Sequence, residues 1–273
     1  MSGREPVTTE SVQAGSVRGS TDMVGKAMRV LSALGEYPDG AGVSALARAI
    51  DLPVTTTHRL LASLQRDGFV TSDPQSRRYL LGLRLFELGQ RVSHARGFAG
   101  TAVPILRRVT AHTREPTLMS VRAGHHQVYV HYVEGPQQVQ ITGEPGRPGP
   151  LHCTSMGKCL VAFAAEEDRR QLVADLELAK LAPRTVTDRA AFAEQIAEVR
   201  QRGYAVADEE HEPGIRAVGV PVRGLDGVAL AALSTAAPAY RTSMDDLLAF
   251  VPVLGEAARE LAALLPGLPL RGA

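Results

Sequence analysis

The amino-acid sequence predicts an α+β protein of two domains, and three observations carry that prediction. The chain is 273 residues long, beyond the roughly 150 typical of one domain and too short for three. Between Val24 and Leu81, three short helical patterns are followed by two short strand patterns, as the apolar spacing changes from three and four to alternation. After residue 98, β-rich stretches and helical patterns are interspersed, which suits an α/β domain built on a mainly antiparallel sheet.

Composition sets the outer limits. Apolar residues make up 44% and charged residues 22% of the chain, the balance of a globular protein rather than a disordered or fibrous one. Lys and Arg number 30 against 29 Asp and Glu, so no bulk charge draws the chain to nucleic acid or to a membrane surface. No stretch approaches the ~20 apolar residues that span a bilayer, and no membrane partner is expected. Residues 1–21 lack the apolar core of a secretory signal and read as a disordered tail. Cys153 and Cys159 are the two cysteines, too few for a disulfide framework. They point to a reducing, cytoplasmic setting. With no Trp and 4% aromatics, the core must be aliphatic.

The elements follow in order. Val24, Ala27, Met28, Leu31 and Leu34 repeat at helical spacing until Pro38-Asp39-Gly40 stops the pattern. Ser44, a good N-cap residue, opens a second short helix carrying Ala45, Leu46, Ala49 and Ile50. Asp51-Leu52-Pro53 breaks the chain before a third helix over 54–66, with Gly68 as its C′ residue. Residues 69–72 and 79–81 then read as strands around the turn Asp73-Pro74-Gln75-Ser76. Three helices and a hairpin in this order spell a winged helix-turn-helix, assigned to 22–82. A helix over 83–93 has no apolar partner in that domain, so 83–97 is expected to link the domains or to pair subunits.

The second domain, 98–267, opens with a helix over 98–112. Strands are expected at 117–121, 128–133 and 139–142, then a Gly/Pro-rich loop over 143–150. Helices at 155–165, 166–176 and 189–203 lead to strands at 205–208, 217–222 and 228–235. A last helix starts at Ser243, and Pro252 inside it should kink or split it.

The third helix carries the clearest chemistry. Thr57, Leu60, Leu61 and Leu64 gather on one side as the core face. Thr55, Arg59, Ala62 and Arg66 lie opposite, flanked by Thr56, His58 and Ser63. Short hydroxyls at a helix start and guanidiniums further along are what a recognition helix presents to base edges and phosphates. Arg77 and Arg78 follow the hairpin turn, where a wing meets flanking phosphates or the minor groove. Alone, this helix reads first as a solvated surface; the second helix, the Pro53 break and the basic wing together reverse that reading. Ser44, Thr55, Thr56, Thr57, His58, Arg59, Ser63, Arg66, Arg77 and Arg78 are the candidate DNA contacts, with double-stranded DNA as partner. Residues 1–97 hold 12 basic against 9 acidic residues and residues 98–273 hold 18 against 20, so overall neutrality conceals a mildly basic first half.

The stretches VSALARAIDLPVTTTHRLLASLQRDGFV and RRYLLGLRLFELG, then PLHCTSMGKCLVA, RGYAVADEEHEPGIRAVGVPVRG and ALAALSTAAP, resemble the IclR family of bacterial transcriptional regulators. The resemblance runs from about Val24 to Pro266. It implies a winged-helix DNA-binding domain, a linker helix and a GAF-like effector domain. It also implies a homodimer, often paired into a tetramer, on a pseudo-palindromic operator.

The second domain also has an independent reading. Residues 151–158 form a strand-to-helix turn whose free N–H groups suit an anion such as a carboxylate. Thr154 or Ser155 can cap it, Gly157 allows close approach and Lys158 can add charge. The resemblance implies a small-molecule effector held by Ser155, Met156, Gly157, Asp208, Ala217, Ser234 and Ala236. Apolar residues at Met156, Ala207, Ala217 and Ala236, where some relatives are polar, favour a more apolar or bulkier ligand, a carboxylate or an aromatic. No cofactor, metal or catalytic residue is expected. His152, Cys153 and Asp208-Glu209-Glu210-His211 match no structural zinc spacing, and strand neighbours such as His152 and Cys153 face opposite ways. The alternative is a GAF-domain enzyme, or a redox or metal sensor, using Cys153 and His152.

Overall fold

The computed structural model describes residues 22–265 apart from 96–99, 101 and 140. The expected tail at 1–21 and the first residues of the helix expected at 98–112 lie outside them. The chain divides into two compact units between Gln90 and Arg91, a boundary that falls inside a helix.

In the first unit, α1 (Met23–Gly35), α2 (Val43–Ala49) and α3 (Val54–Arg66) precede a hairpin of β1 (Val70–Ser72) and β2 (Tyr79–Leu81). Val30, Leu31, Leu34, Leu46, Leu60, Leu61 and Leu64 close one aliphatic core. Ser44 does not cap α2. Ala41 pairs with Tyr79 through two 2.9 Å backbone hydrogen bonds, which leaves Gly42 extended as the N-cap and Ser44 inside the helix. The same bridge adds a third short strand segment to the hairpin. The helix α4 (Leu83–Ala95) follows.

The second unit is a six-stranded antiparallel sheet between two helical layers. Its elements are α5 (Ala102–Thr113), β3 (Thr117–Ala123), β4 (His126–Val133), β5 (Pro148–Pro150), α6 (Ser155–Ala162), α7 (Glu166–Asp175), α8 (Arg189–Arg202), β6 (Ala205–Asp208), β7 (Ile215–Arg223), β8 (Ala229–Pro238), α9 (Met244–Leu248) and α10 (Val251–Leu264). The strand order is β5-β4-β3-β8-β7-β6. Alternation sends Met119, Val121, Val218, Val220 and Leu233 to α5 and α10, and Leu118, Ala205 and Ala232 to α6 and α8. The final helix splits as Pro252 requires, with the proline in the first turn of α10, where its missing N–H costs nothing.

Two expectations about β4's surroundings fail. The described residues of 139–142 form no strand, and the sheet edge is instead β5, inside the segment read as a loop. A Pro-Gly-Pro strand is tolerated there because an edge strand needs hydrogen bonds on one side only.

All eight residues of α6 are buried. Lys158, on its second turn, is 1% exposed, and its Nζ donates to both Glu210 carboxylate oxygens, at 2.7 and 2.8 Å. Burial pulls the Lys158 pKa down and the facing Glu210 carboxylate works against that pull. Such a pair tolerates the loss of neither partner, because the survivor is left as a bare buried charge. We expect Lys158→Met to cost about 3–5 kcal/mol in urea unfolding. Adding Glu210→Leu to Lys158→Met should recover part of that loss, and a double variant weaker than Lys158→Met would contradict the pairing.

Candidate functional site

The first unit presents the polar face of α3. Thr55, His58, Arg59, Ser63 and Arg66 are exposed and Thr56 is half-buried. Thr57 is a correction: it is 0% exposed and its hydroxyl donates to the Pro53 carbonyl at 3.1 Å, so it is placed in the core and not on the polar face offered to DNA. It shares the core face with Leu60, Leu61 and Leu64, and one turn of helix cannot offer it to both sides. No side chain caps the start of α3, where Pro53 is the N-cap, so its first N–H groups remain open to an anion. Among the described residues, Arg59, Arg66 and Arg77 have no ion-pair or hydrogen-bond partner for their guanidiniums.

The wing is braced from within. The Asp73 carboxylate accepts the Gln75 N–H at 3.0 Å and the Ser76 N–H at 3.2 Å, and Arg77 takes a left-handed φ of 54° to close the turn. Arg77 then projects freely. Arg78 does not: its Nη1 reaches back to the carbonyls of Asp39 and Gly40, both at 3.4 Å. Gln65, unremarked in the sequence, donates to Ser72 at 2.9 Å and ties α3 to the wing. Ser44 is exposed on α2.

In the second unit the N-terminus of α6 is held by a buried network. Ser120 Oγ donates to Gln127 Oε1 at 2.7 Å, and Gln127 Nε2 donates to Thr154 Oγ1 at 2.7 Å. Thr154, the N-cap, accepts the Gly157 N–H at 3.0 Å. Gly157 serves packing: a Cβ there would lie 2.4 Å from the Leu151 carbonyl oxygen. Ser155 Oγ is 2.9 Å from Ser234 Oγ, and Ser234 also donates to the Val218 carbonyl at 2.9 Å. Both serines are buried.

Strand register settles which of the expected residues meet. Ser234 opposes Leu118 on β3 and Gly219 on β7, and Ala236 opposes Ala217, which opposes Ala207 on β6. These rows share the α6 face with Met156, and Leu118, Tyr132 and Ile141 pack beside them. The sequence reading passed over those last three; Tyr132 is detectable as Leu118's cross-strand partner only once the register is known. Asp208 does not join the group. It follows Ala207 by one residue and so faces the other way, where it pairs with Arg216 at 2.7 Å and, at the strand end, with Arg184 at 2.6 Å.

His152 and Cys153 are both buried. His152 Nε2 lies 3.0 Å from the Ala179 carbonyl, and desolvation lowers its pKa. Burial pushes the Cys153 and Cys159 thiols up to about 12, which removes the thiolate a nucleophile or metal ligand needs. No cluster of three or more His, Cys, Asp or Glu able to hold a metal forms among the described residues. No helix among them is long and apolar enough to cross a membrane.

Comparison with known proteins places these features in context. Residues 23–74 match the IclR helix-turn-helix domain, and residues 90–263 match the bacterial transcriptional regulator IclR C-terminal domain. The chain is 30% identical over 244 residues to the HTH-type transcriptional regulator KdgR of Escherichia coli (strain K12), covering 89% of this chain and 92% of KdgR. It is 31% identical over 223 residues to BhcR of Paracoccus denitrificans, covering 82% and 80% of the two chains. An IclR transcriptional regulator from Alicyclobacillus acidocaldarius superposes with a TM-score of 0.79 at 30% identity, covering 90% and 99%. An IclR homologue from Microbacterium hydrocarbonoxydans, solved in complex with 4-hydroxybenzoate, gives 0.77 at 28% identity, covering 89% and 98%.

Two outcomes follow from this geometry. With both thiols protonated and buried, the native protein should leave Cys153 and Cys159 unmodified by a thiol reagent at pH 8 and expose both only on denaturation; a fast-reacting Cys153 would revive a thiol chemistry. Because the folded state resists protonating His152 more than the unfolded state does, this histidine's stabilisation is complete above its ordinary pKa of 6.5 and declines as pH falls below it. Urea unfolding should therefore show wild type losing stability between pH 7.5 and 5.5, by at most about 1.4 kcal/mol per pH unit from this group, with a shallower loss in His152→Gln. Equal slopes would remove His152 from the account.

Proposed function

Because the chain belongs to the IclR family of bacterial transcriptional regulators, we propose that it binds a pseudo-palindromic operator as a homodimer or dimer of dimers and responds to a small aromatic or carboxylate effector. The observation that carries the DNA reading is the cluster of unpartnered guanidiniums on α3 and the wing. Arg59, Arg66 and Arg77 are held on α3 and the hairpin turn, beside an uncapped helix start, with no ion-pair or hydrogen-bond partner for their guanidiniums among the described residues. Arg59 and the hydroxyls of Thr55, Thr56 and Ser63 read base edges in the major groove. Arg66, Arg77 and, after releasing the 39–40 turn, Arg78 bind phosphates. His58 and Ser44 lie on the exposed surface beside them and add backbone contacts.

The α4 helix supports the dimer. Leu83, Phe86 and Val92 are exposed on it, with Phe86 at 61%, and a second copy of the same helix is an economical cover for such a surface. The effector site is the α6 end of the sheet: Ser155 and Ser234 supply hydroxyls, the first turn of α6 at Met156 and Gly157 supplies a positive helix end, and Ala217, Ala236, Leu118 and Tyr132 supply an apolar wall. A carboxylated aromatic of the kind carried by the Microbacterium homologue suits that combination. Asp208 acts from outside it, by holding the strand end through Arg216 and Arg184. Effector and operator are then coupled reciprocally, so each changes the other's affinity by the same factor.

Fluorescence anisotropy on a duplex from upstream of its own gene tests this reading. Arg59→Ala should weaken specific binding by roughly 1–3 kcal/mol, whereas Thr57→Val, confined to the core, should leave specific affinity within about twofold. Equal affinity of the wild type for that duplex and for random sequence would overturn the operator reading. An Arg59→Ala variant with unchanged discrimination would overturn the role of Arg59.

A further inference from the structure

Helix α3 leaves two apolar residues on its surface that the roles given to its polar side chains do not use. Of its five apolar residues, Leu60, Leu61 and Leu64 are buried in the core of the first unit, whereas Val54 and Ala62 are exposed, Val54 by 47%. Single exposed apolar residues are ordinary on a protein surface. These two differ in their surroundings. Val54 is the first residue of α3, at the uncapped start of the helix, the end that a recognition helix directs at base edges. Ala62 lies at the centre of the polar face. His58 and Arg59 precede it by four and three residues and Arg66 follows by four, so all three are its helical neighbours, and all three are exposed.

Size decides how near the helix comes to the bases. An α-helix with its side chains is about 10–12 Å across and fills the major groove, which is about 12 Å wide. Its backbone therefore approaches the groove floor only where the facing side chain is short. Ala62 is such a place, with Thr55 about two turns before it on the same line of the helix. A longer side chain there would hold α3 off the floor. A methyl at closest approach has no hydrogen bond to offer, and among the four bases only thymine presents a matching apolar group in the major groove, its C5-methyl. Contact between two methyl groups removes apolar surface from water on both partners, while the flanking guanidiniums and hydroxyls take the hydrogen-bonding groups.

We propose that Val54 and Ala62 are specificity-determining residues that read the C5-methyl groups of thymines in each half-site. The proposal rests on the operator reading and adds to it the base that α3 selects where it offers no hydrogen bond. The two residues are eight positions apart, about 12 Å along the helix axis, so they meet different base pairs. Cytosine, with a bare C5–H in place of the methyl, is disfavoured at both. A valine and an alanine with no part in DNA binding would be indifferent to that methyl.

Replacing a thymine by deoxyuridine deletes the methyl and leaves the base pair intact, so the contact is testable one position at a time. Fluorescence anisotropy with the full chain follows its affinity for the duplex from upstream of its own gene as each thymine in turn becomes deoxyuridine. At a thymine met by Val54 or Ala62, the wild type should lose roughly fourfold in affinity. Val54→Ala should no longer feel that loss at one such position, and Ala62→Gly should no longer feel it at another. Val54→Ala puts the best helix former at an exposed position and should melt as the wild type does. If Ala62→Gly melts lower, Ala62→Ser serves in its place, since its hydroxyl gives the thymine methyl no apolar partner. Ala62→Lys adds a charge that favours phosphate contact, yet should weaken specific binding roughly tenfold or more because its stem holds α3 away from the bases; undiminished binding would overturn the close approach. A wild type that prefers this duplex to random sequence but tolerates deoxyuridine at every thymine overturns the proposal and leaves the operator reading standing. A methyl sensitivity that survives in both Val54→Ala and Ala62→Gly overturns it as well, and one lost in a single variant removes the other residue from it. Equal affinity for this duplex and for random sequence overturns both the proposal and the operator reading.

Discussion

The second unit depends on the seating of one short helix. Every residue of α6 is buried, including a lysine, and a helix so placed must satisfy its polar groups inside the protein. It does so at both ends of its buried face. Thr154 caps the start and is itself fixed by Gln127 and Ser120 of the sheet. Lys158 is neutralised by Glu210 from the β6–β7 loop. The sheet in turn makes room: Gly219 lies so close to Ser155 that an added Cβ would sit 3.1 Å from it, and Ala205, Ala217 and Ala232 keep the surface beneath the helix shallow. Small residues on the strands and a fully buried helix are one constraint seen from two sides.

The same constraint positions the chemistry. The hydroxyls of Ser155 and Ser234 meet at 2.9 Å because α6 packs down onto β8, and a ligand that separates them must also move α6, β8 or both. Motion there is resisted by the Lys158–Glu210 pair, which joins α6 to the loop that continues from Asp208. The walls of the proposed effector site are thus mechanically connected, as a ligand-driven shift between arrangements requires. Burial raises the Cys153 thiol to about 12 and lowers the His152 pKa, both of which work against thiolate or imidazolium chemistry beside the site.

Charge is distributed by the same economy. Acids and bases nearly cancel over the whole chain, and much of the cancellation is local, as in the exposed pairs Arg84–Glu87 and Arg147–Glu144. Such surface pairs contribute little to stability. Their significance is what they leave over. Among the described residues, Arg59, Arg66 and Arg77 on α3 and the wing are left without a partner for their guanidiniums. Net charge could not reveal this group, because it depends on which residues lack partners.

The sequence by itself determined the order of the elements, the winged helix-turn-helix, the core face of α3, the split at Pro252 and the family. These rest on local spacing, turn residues and motif order, which are properties of neighbours along the chain. Tertiary structure alone decided the rest. Ser44 lost its capping place to Gly42 because Tyr79, far along the chain, pairs with Ala41. Thr57 belongs by spacing to the core face and by residue type to the DNA contacts, and packing resolves the conflict in favour of the core. The edge strand formed at Pro148–Pro150 because β4 offered an unpaired side there. Asp208 left the effector group by a single step of strand alternation, and Glu210, two residues on, became the partner of a lysine 52 positions away. A residue's face depends on register, and register is set by partners that are distant in sequence.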